Sequence, residues 1–184
     1  ALRGDPQKGS RTFIPEKDGH THTYELVEQI VNMNNGKYLE ESLQNTAPAS
    51  FCIGVAGYPE KHFEAPNRQV DMENLKRKVD AGASYIVTQM FFDNTRFHRF
   101  VDECRKIGIE VPVIAGIKPI SAMNDINLLP QTFHIDMPYE LVQALKQCKT
   151  ENEARETGIE WAVMQSKELI SSGVPGIHYY TLGR

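Results

Sequence analysis

The sequence predicts an α/β fold, half of a (β/α)8 TIM barrel, on three observations. Short β-rich runs alternate with amphipathic helical patterns, the strand-helix-strand order of parallel sheets. Most of the β-rich runs are almost continuously apolar, as strands of a parallel sheet are. Polar residues recur where those runs end: Ala1-Leu2-Arg3-Gly4-Asp5, Tyr58-Pro59-Glu60-Lys61-His62, Gln89, and Tyr180-Thr181-Leu182-Gly183-Arg184. In a (β/α) barrel the C-terminal strand ends face the active site. An open doubly wound sheet accepts the same alternation, but it usually carries a glycine fingerprint for phosphate, and no G-x-G-x-x-G or Walker loop occurs here.

Taken in order, residues 1–5 read as the end of a strand, and residues 6–22, rich in Pro, Gly, Lys and His, as a strand-to-helix loop. Helical periodicity follows over 24–33. The run Phe51-Cys52-Ile53-Gly54-Val55-Ala56 predicts a strand, 59–69 a second long loop, and 70–81 a helix. A strand over 85–92 precedes a helix over 95–106, and a strand over 111–116 precedes an excursion of two helical segments, 122–129 and 139–147. The longest helix spans 154–171 before a final strand over 177–182. Gly82, Gly108 and Gly173 fall just past helix ends, where a left-handed cap is wanted. One strand end and four strands stand against the eight of a closed barrel, so residues 1–184 are expected to form one partial catalytic barrel domain without its N-terminal strands. The first motif begins at residue 1 with no strand or initiator methionine before it, and the chain is expected to belong to a longer protein.

With 184 residues, 40% hydrophobic and 24% charged, the chain is long enough for a real core. A net charge of −4 with mixed signs gives no basic face for nucleic acid or an anionic membrane. Three scattered cysteines, Cys52, Cys104 and Cys148, predict free thiols rather than a disulfide or zinc site. No apolar run approaches the roughly 20 residues of a membrane span, and the expected location is cytoplasmic. His20 and His22 lack metal-ligand spacing, so no metal site is expected, and no G-x-S-x-G marks a serine nucleophile.

Arg3-Gly4-Asp5 sets a planar cation, a residue without a side chain and a carboxylate at one strand end, suited to a phosphorylated or flat ligand but equally to a solvated turn. Asp71, Asn74, Arg77 and Lys78 share a sector of roughly 120° on one helix, since each residue advances about 100°. Two cations, a carboxylate and an amide suit a dinucleotide's diphosphate and ribose; a charged solvent face is the alternative. Tyr58 and His62 could stack on a planar ring and donate to a phosphate. Gln89 lies inside an apolar run, where burying an amide is costly without a partner, whether ligand or backbone. Arg184 suits a carboxylate.

Six ordered blocks then carry a resemblance. They are Ala1-Leu2-Arg3-Gly4-Asp5, Tyr58-Pro59-Glu60-x-His62-x-Glu64-Ala65, Asp71-x-x-Asn74-Leu75-Lys76-Arg77-Lys78-Val79-Asp80-Ala81-Gly82-Ala83, Thr88-Gln89-x-Phe91-Phe92, Gly116-Ile117-x-Pro119 and His178-x-Tyr180-Thr181-Leu182-x-Arg184. Together they resemble the methylenetetrahydrofolate reductase family over the whole chain. The resemblance implies the second half of a TIM barrel that reduces 5,10-methylenetetrahydrofolate to 5-methyltetrahydrofolate, with NADH or NADPH and FAD in a ping-pong cycle, in a homo-oligomer. Leu2, Arg3, Gly4 and Asp5 would border the flavin, and Asp5 would act in catalysis by bonding the pterin and tuning the flavin. Tyr58, His62, Ala65, Asp71, Asn74, Arg77 and Lys78 would hold the rest of FAD. Gln89, Tyr180 and Arg184 would face folate or nicotinamide.

The same resemblance places the family's general-acid glutamate, with a threonine and a histidine that touch FAD, ahead of residue 1, so these residues alone are expected to be inert and unable to fold stably. His22 stands where the family often has a tyrosine beside FAD, Leu129 where some members have a phenylalanine against the ligand, and Asp125 where glutamine is common. A proline-dehydrogenase-like FAD barrel and a nucleotide-binding module without turnover are the competing readings.

Overall fold

In the computed structural model, residues 1–4 and 13–181 are described. Four apolar runs pair into one parallel sheet: β1 (Gly54–Gly57), β2 (Tyr85–Thr88), β3 (Val113–Ile117) and β4 (Ile177–Tyr179), adjacent in sequence order. The register runs from Gly54 opposite Tyr85 through Ile86 opposite Val113 to Ile117 opposite Tyr179. Helices α1 (Thr23–Asn34), α2 (Arg68–Asp80), α3 (Asn94–Lys106), α4 (Asp125–Phe133), α5 (Tyr139–Gln147) and α6 (Glu151–Ser171) alternate with these strands. The Ala1 nitrogen donates to the Gly54 carbonyl, which sets the first residues beside β1, on the side away from β2.

Side-chain caps fix the starts of α2, α3 and α6. Asn67 accepts from the Val70 N–H at 2.9 Å, Asp93 from Thr95 at 2.9 Å and Thr150 from Glu153 at 3.2 Å, each satisfying an orphan donor of the first turn. The expected glycine caps end α2, α3 and α6, with φ of 119° at Gly82, 76° at Gly108 and 81° at Gly173, backbone that side chains with a Cβ rarely adopt.

One face of the sheet is the core. Val55, Ile86, Val113, Ala115 and Ile117 pack in a single buried cluster with Met72 and Leu75 of α2, Phe97, Phe100 and Cys104 of α3, and Leu169 of α6. The alternate residues Gly54, Ala56, Tyr85, Val87 and Ile114 are only half-buried. A second cluster joins Met90 and Phe92 to Ile120, Leu129, Leu141, Leu145 and Ala154, so the excursion α4–α5 packs on the segment leaving β2 and on the start of α6.

Several elements differ from expectation. The strand expected over 85–92 ends at Thr88, because the Gln89 amide oxygen takes the Met90 N–H at 2.9 Å and Phe91 and Phe92 then turn into the cores. The strand expected over 51–56 begins only at Gly54, leaving Phe51 and Cys52 exposed. The helix expected to stop at Leu129 runs through Pro130 to Phe133 and ends on His134 in the left-handed region, φ 53°. Among the described residues no helix is long and apolar enough to cross a membrane, and all three cysteines are free.

Candidate functional site

The C-terminal ends of the four strands bring the polar residues to one edge. Tyr58 follows β1, Gln89 follows β2, Lys118 follows β3 and Tyr180 follows β4. The Gln89 N–H donates to the Gly57 carbonyl at 2.8 Å, which ties the first two positions together.

Around the end of β1 a compact cluster forms. The His62 ring stands edge-on to Tyr58 with centroids 4.6 Å apart. Its backbone N–H donates to Asp71 Oδ2 at 3.1 Å, and its Nδ1 accepts from the Glu64 N–H at 3.2 Å. The accepting Nδ1 assigns the proton of the neutral ring to Nε2, where it can be donated. Burial lowers the His62 pKa, outweighing the nearby Glu64 and Asp71, so the ring is neutral at pH 7.

Lys78 reaches the same place from the last turn of α2. Its ammonium donates to the Ala56 carbonyl at 2.6 Å and lies 6.0 Å from the Tyr58 ring centroid. Burial pulls its pKa down to about 8, partly countered by Asp71. Asp71 and Lys78 are seven residues apart, two helical turns, so the buried carboxylate and the half-buried ammonium rise on one side. Asn74 and Arg77, the other members of the predicted sector, are exposed, and among the described residues neither has a side-chain hydrogen bond or ion pair. The sector is therefore split: two residues line the cluster and two stand at its rim. Buried Ala65 closes the loop, its carbonyl accepting from Lys61 Nζ at 2.5 Å.

Beside this cluster, Arg3 pairs with Glu64 and covers the Phe13 ring at 4.8 Å. Leu2 is exposed, and Gly4 has φ 85°. Asp5, Leu182 and Arg184 lie outside the described residues.

Toward β4, the Tyr180 hydroxyl donates to the Thr88 carbonyl at 2.8 Å, its ring crossing Gly116, and burial raises its pKa. Gln89 was expected in mid-strand; it sits one residue past β2, half-buried, with its amide oxygen bonded to the next residue.

Three departures from the family pattern have local explanations. His22 is the N-cap of α1, with Glu25 Oε2 accepting its N–H at 3.0 Å. Asp125 caps the turn before α4, its Oδ2 accepting from Ser121 N at 2.8 Å and Ala122 N at 3.2 Å. Leu129 is buried in the second core cluster, so the expected variation there is one of packing.

Sequence reasoning assigned no role to three charged residues. Arg68 shapes the loop after β1, donating to the Tyr58 and Glu60 carbonyls at 2.6 and 3.2 Å and to Glu103 at 2.7 Å. Lys118, the unassigned position in Gly116-Ile117-x-Pro119, is buried and donates to the Pro119 carbonyl at 2.8 Å. A cation directly after five apolar residues was the available signal. The third, Glu60, has a buried Oε1 with no hydrogen-bond partner among the described residues.

Burial raises the Glu60 pKa from 4.5 to about 7, against the pull of Arg96, which is itself paired with Asp136 at 2.7 Å. Between those two values the folded chain keeps a proton that the unfolded chain releases, so stability falls as pH rises from 4.5 to 7. Glu60→Gln is expected to flatten that slope and to raise stability at pH 8 by on the order of 3 kcal/mol, at about 1.4 kcal/mol per pKa unit. Urea unfolding of the full-length protein between pH 5 and 8 measures it; an unchanged slope in the variant would remove Glu60 as the cause.

The family profile for methylenetetrahydrofolate reductase matches residues 1–184. Methylenetetrahydrofolate reductase (NADH) 1 of Arabidopsis thaliana is 38% identical over 99% of this chain and 30% of its own length. Methylenetetrahydrofolate reductase 2 of Saccharomyces cerevisiae is 36% identical over 99% of this chain and 29% of its own length. The 5,10-methylenetetrahydrofolate reductase of Escherichia coli is 40% identical over 74% of this chain and 46% of its own length. The chain thus spans less than half of each of these relatives.

Proposed function

Because the chain belongs to the methylenetetrahydrofolate reductase family, we propose that it is the FAD-binding second half of a barrel enzyme that reduces 5,10-methylenetetrahydrofolate to 5-methyltetrahydrofolate with NADH or NADPH. Two features of the sheet support the barrel: strand order follows sequence order, and the helices α2, α3 and α6 pack with one set of strand residues. A doubly wound sheet reverses its strand order and places helices on both faces. Residues 1–184 then form a single partial domain.

The observation that carries the cofactor reading is the desolvated Lys78 ammonium among Tyr58, His62 and Asp71 at the end of β1. A half-buried cation with its pKa pulled down by desolvation gains most from an anion, and a neutral imidazole with an Nε2 proton beside it adds a donor. Those groups fit a diphosphate. Arg77 and Asn74 at the rim extend the positive and amide donors toward the adenosine portion, and Asp71 accepts from a ribose. FAD, when bound, would supply hydride transfer between the nicotinamide and the folate. Arg3, Gly4 and Asp5 are assigned to the flavin edge, Asp5 to the pterin, and Gln89, Tyr180 and Arg184 to the substrate side. The half-buried Gln89 amide hydrogens and the Tyr180 ring suit a flat heterocycle with donors and acceptors on its rim.

The test is the visible spectrum of the protein expressed from its complete reading frame, before and after anaerobic NADH. A flavin band that bleaches and returns with methylenetetrahydrofolate is expected. A colourless protein would overturn the cofactor assignment, and a band that NADH leaves unbleached would favour a nucleotide-binding module without turnover.

A further inference from the structure

Tyr58, His62 and Ala65, assigned to FAD, lie on a loop, 58–67, that has no regular structure of its own, and the contacts that hold it from the far side involve residues with no assigned role. Phe63 is 48% exposed. Its ring nonetheless stacks with His62 at 5.0 Å and 26°, and with His134 at 4.8 Å and 25°. With the edge-on contact of His62 to Tyr58, four rings run without a break from the end of β1 to the C-cap of α4.

Both ends of this run are fixed. His134 is held by its left-handed backbone, φ 53°, and by its N–H donating to the Pro130 carbonyl at 3.0 Å, while the next residue, Ile135, is buried in the second core cluster. His62 is held by Asp71 and Glu64 as described above. Asp136, two residues on, pairs with Arg96 of α3, and both charges act on the Glu60 carboxyl of the loop. Phe63 is the piece between them. An aromatic ring kept half in water contributes little to the core, so its packing value lies in these two ring contacts.

We propose that Phe63 and His134 form an aromatic clasp that holds the loop after β1 in place over the nucleotide half of the cofactor site. Phe63 is thus a positioning residue, acting through His62 and Tyr58; the inference rests on the FAD reading above. The clasp orients the His62 ring, whose Nε2 proton is the donor, and keeps Tyr58 over the Lys78 ammonium.

The experiment is a titration of the full-length apoprotein with FAD, followed by quenching of flavin fluorescence. Phe63→Ala and His134→Ala are each expected to weaken binding about tenfold, about 1.4 kcal/mol, and the double variant by little more than Phe63→Ala alone, since both remove the Phe63–His134 stack. Phe63→Trp restores affinity, which a general packing defect would not allow. Wild-type affinity in Phe63→Ala overturns the proposal. Protein that takes up no FAD in the wild-type form refutes the cofactor reading alone; the clasp is then judged by tryptic cleavage after Lys61. Cleavage about tenfold faster in Phe63→Ala supports it, and an unchanged rate overturns it.

Discussion

Lys78→Met is expected to weaken FAD binding by about a hundredfold while leaving the apoprotein folded. The ammonium is poorly solvated, bonded to one backbone carbonyl at 2.6 Å, and helped only at a distance by Asp71. Losing a hydrogen bond from a charged donor to a phosphate costs about 1.5–3 kcal/mol, and a hundredfold corresponds to about 2.7 kcal/mol. Methionine keeps most of the apolar stem and removes a charge whose burial was unfavourable, so apoprotein stability at pH 7 does not fall. The pH dependence is a sharper sign of the same group. In the free protein Lys78 loses its proton through about pH 8, whereas a bound diphosphate holds it on. Affinity should therefore be flat below that value and fall as pH rises above it, with uptake of one proton on binding. The folded-state pKa is lowered from 10.5, so the unfolded chain binds more protons between the two values and this group makes stability rise with pH there. Calorimetric titration with FAD from pH 6.5 to 9.5 reads both effects. A variant within about threefold of wild type, or a wild-type affinity without the fall, would remove Lys78 from the diphosphate site.

The strand ends were legible in the sequence because each apolar run stops at a polar residue, and the glycine caps because helical periodicity ends one residue before Gly82 and two before Gly108 and Gly173. The depth of each side chain was not. Four residues sharing a helical sector look equivalent on a helical wheel, yet Asp71 is buried and Asn74 and Arg77 are exposed, because only the packing of α2 against the loop after β1 decides which part of the sector is covered. Gln89 was misplaced for a related reason. Phe91 and Phe92 continue the β-like run in composition, but they serve two different clusters off the sheet, and periodicity does not distinguish a strand from an apolar segment that leaves one. Arg68 escaped notice, and Glu60 was read only as part of a strand-end motif, because a charged residue that bonds backbone carbonyls, or sits beside another chain segment's ion pair, carries no spacing to read. Phe63 shows the same limit: its partner His134 lies 71 positions away in sequence.

Gly116→Ala is expected to be the most disruptive single-methyl change in the sheet. Gly116 lies in β3 between two strands, and its N–H donates to the Thr88 hydroxyl at 2.9 Å. A Cβ there would fall inside contact distance of the Thr88 carbonyl oxygen and 2.8 Å from Tyr180 Cε2. That carbonyl is the acceptor for the Tyr180 hydroxyl, so the methyl group strikes both partners of one hydrogen bond. The carbonyl has no room to give, since Thr88 is fully buried and the group belongs to the backbone of the neighbouring strand, so the half-buried Tyr180 ring is what must move. Overpacking of this kind costs about 3 kcal/mol, which for a domain of 150–250 residues lowers the melting temperature by roughly 6–12 °C. Tyr180→Phe removes the hydroxyl alone and should cost only about 1 kcal/mol. Because both changes act through the Thr88 carbonyl, the double variant is expected to lose less than the sum of the two. On the function proposed above the chemistry should suffer in parallel: displacing the Tyr180 ring from its seat over Gly116 is expected to raise KM for methylenetetrahydrofolate, while flavin retention, assigned to the cluster at the end of β1, stays close to wild type. Thermal melting of the three full-length variants, followed by their KM values, separates these effects. A Gly116→Ala protein that melts within about 2 °C of wild type would mean that Tyr180 does not stand over this strand.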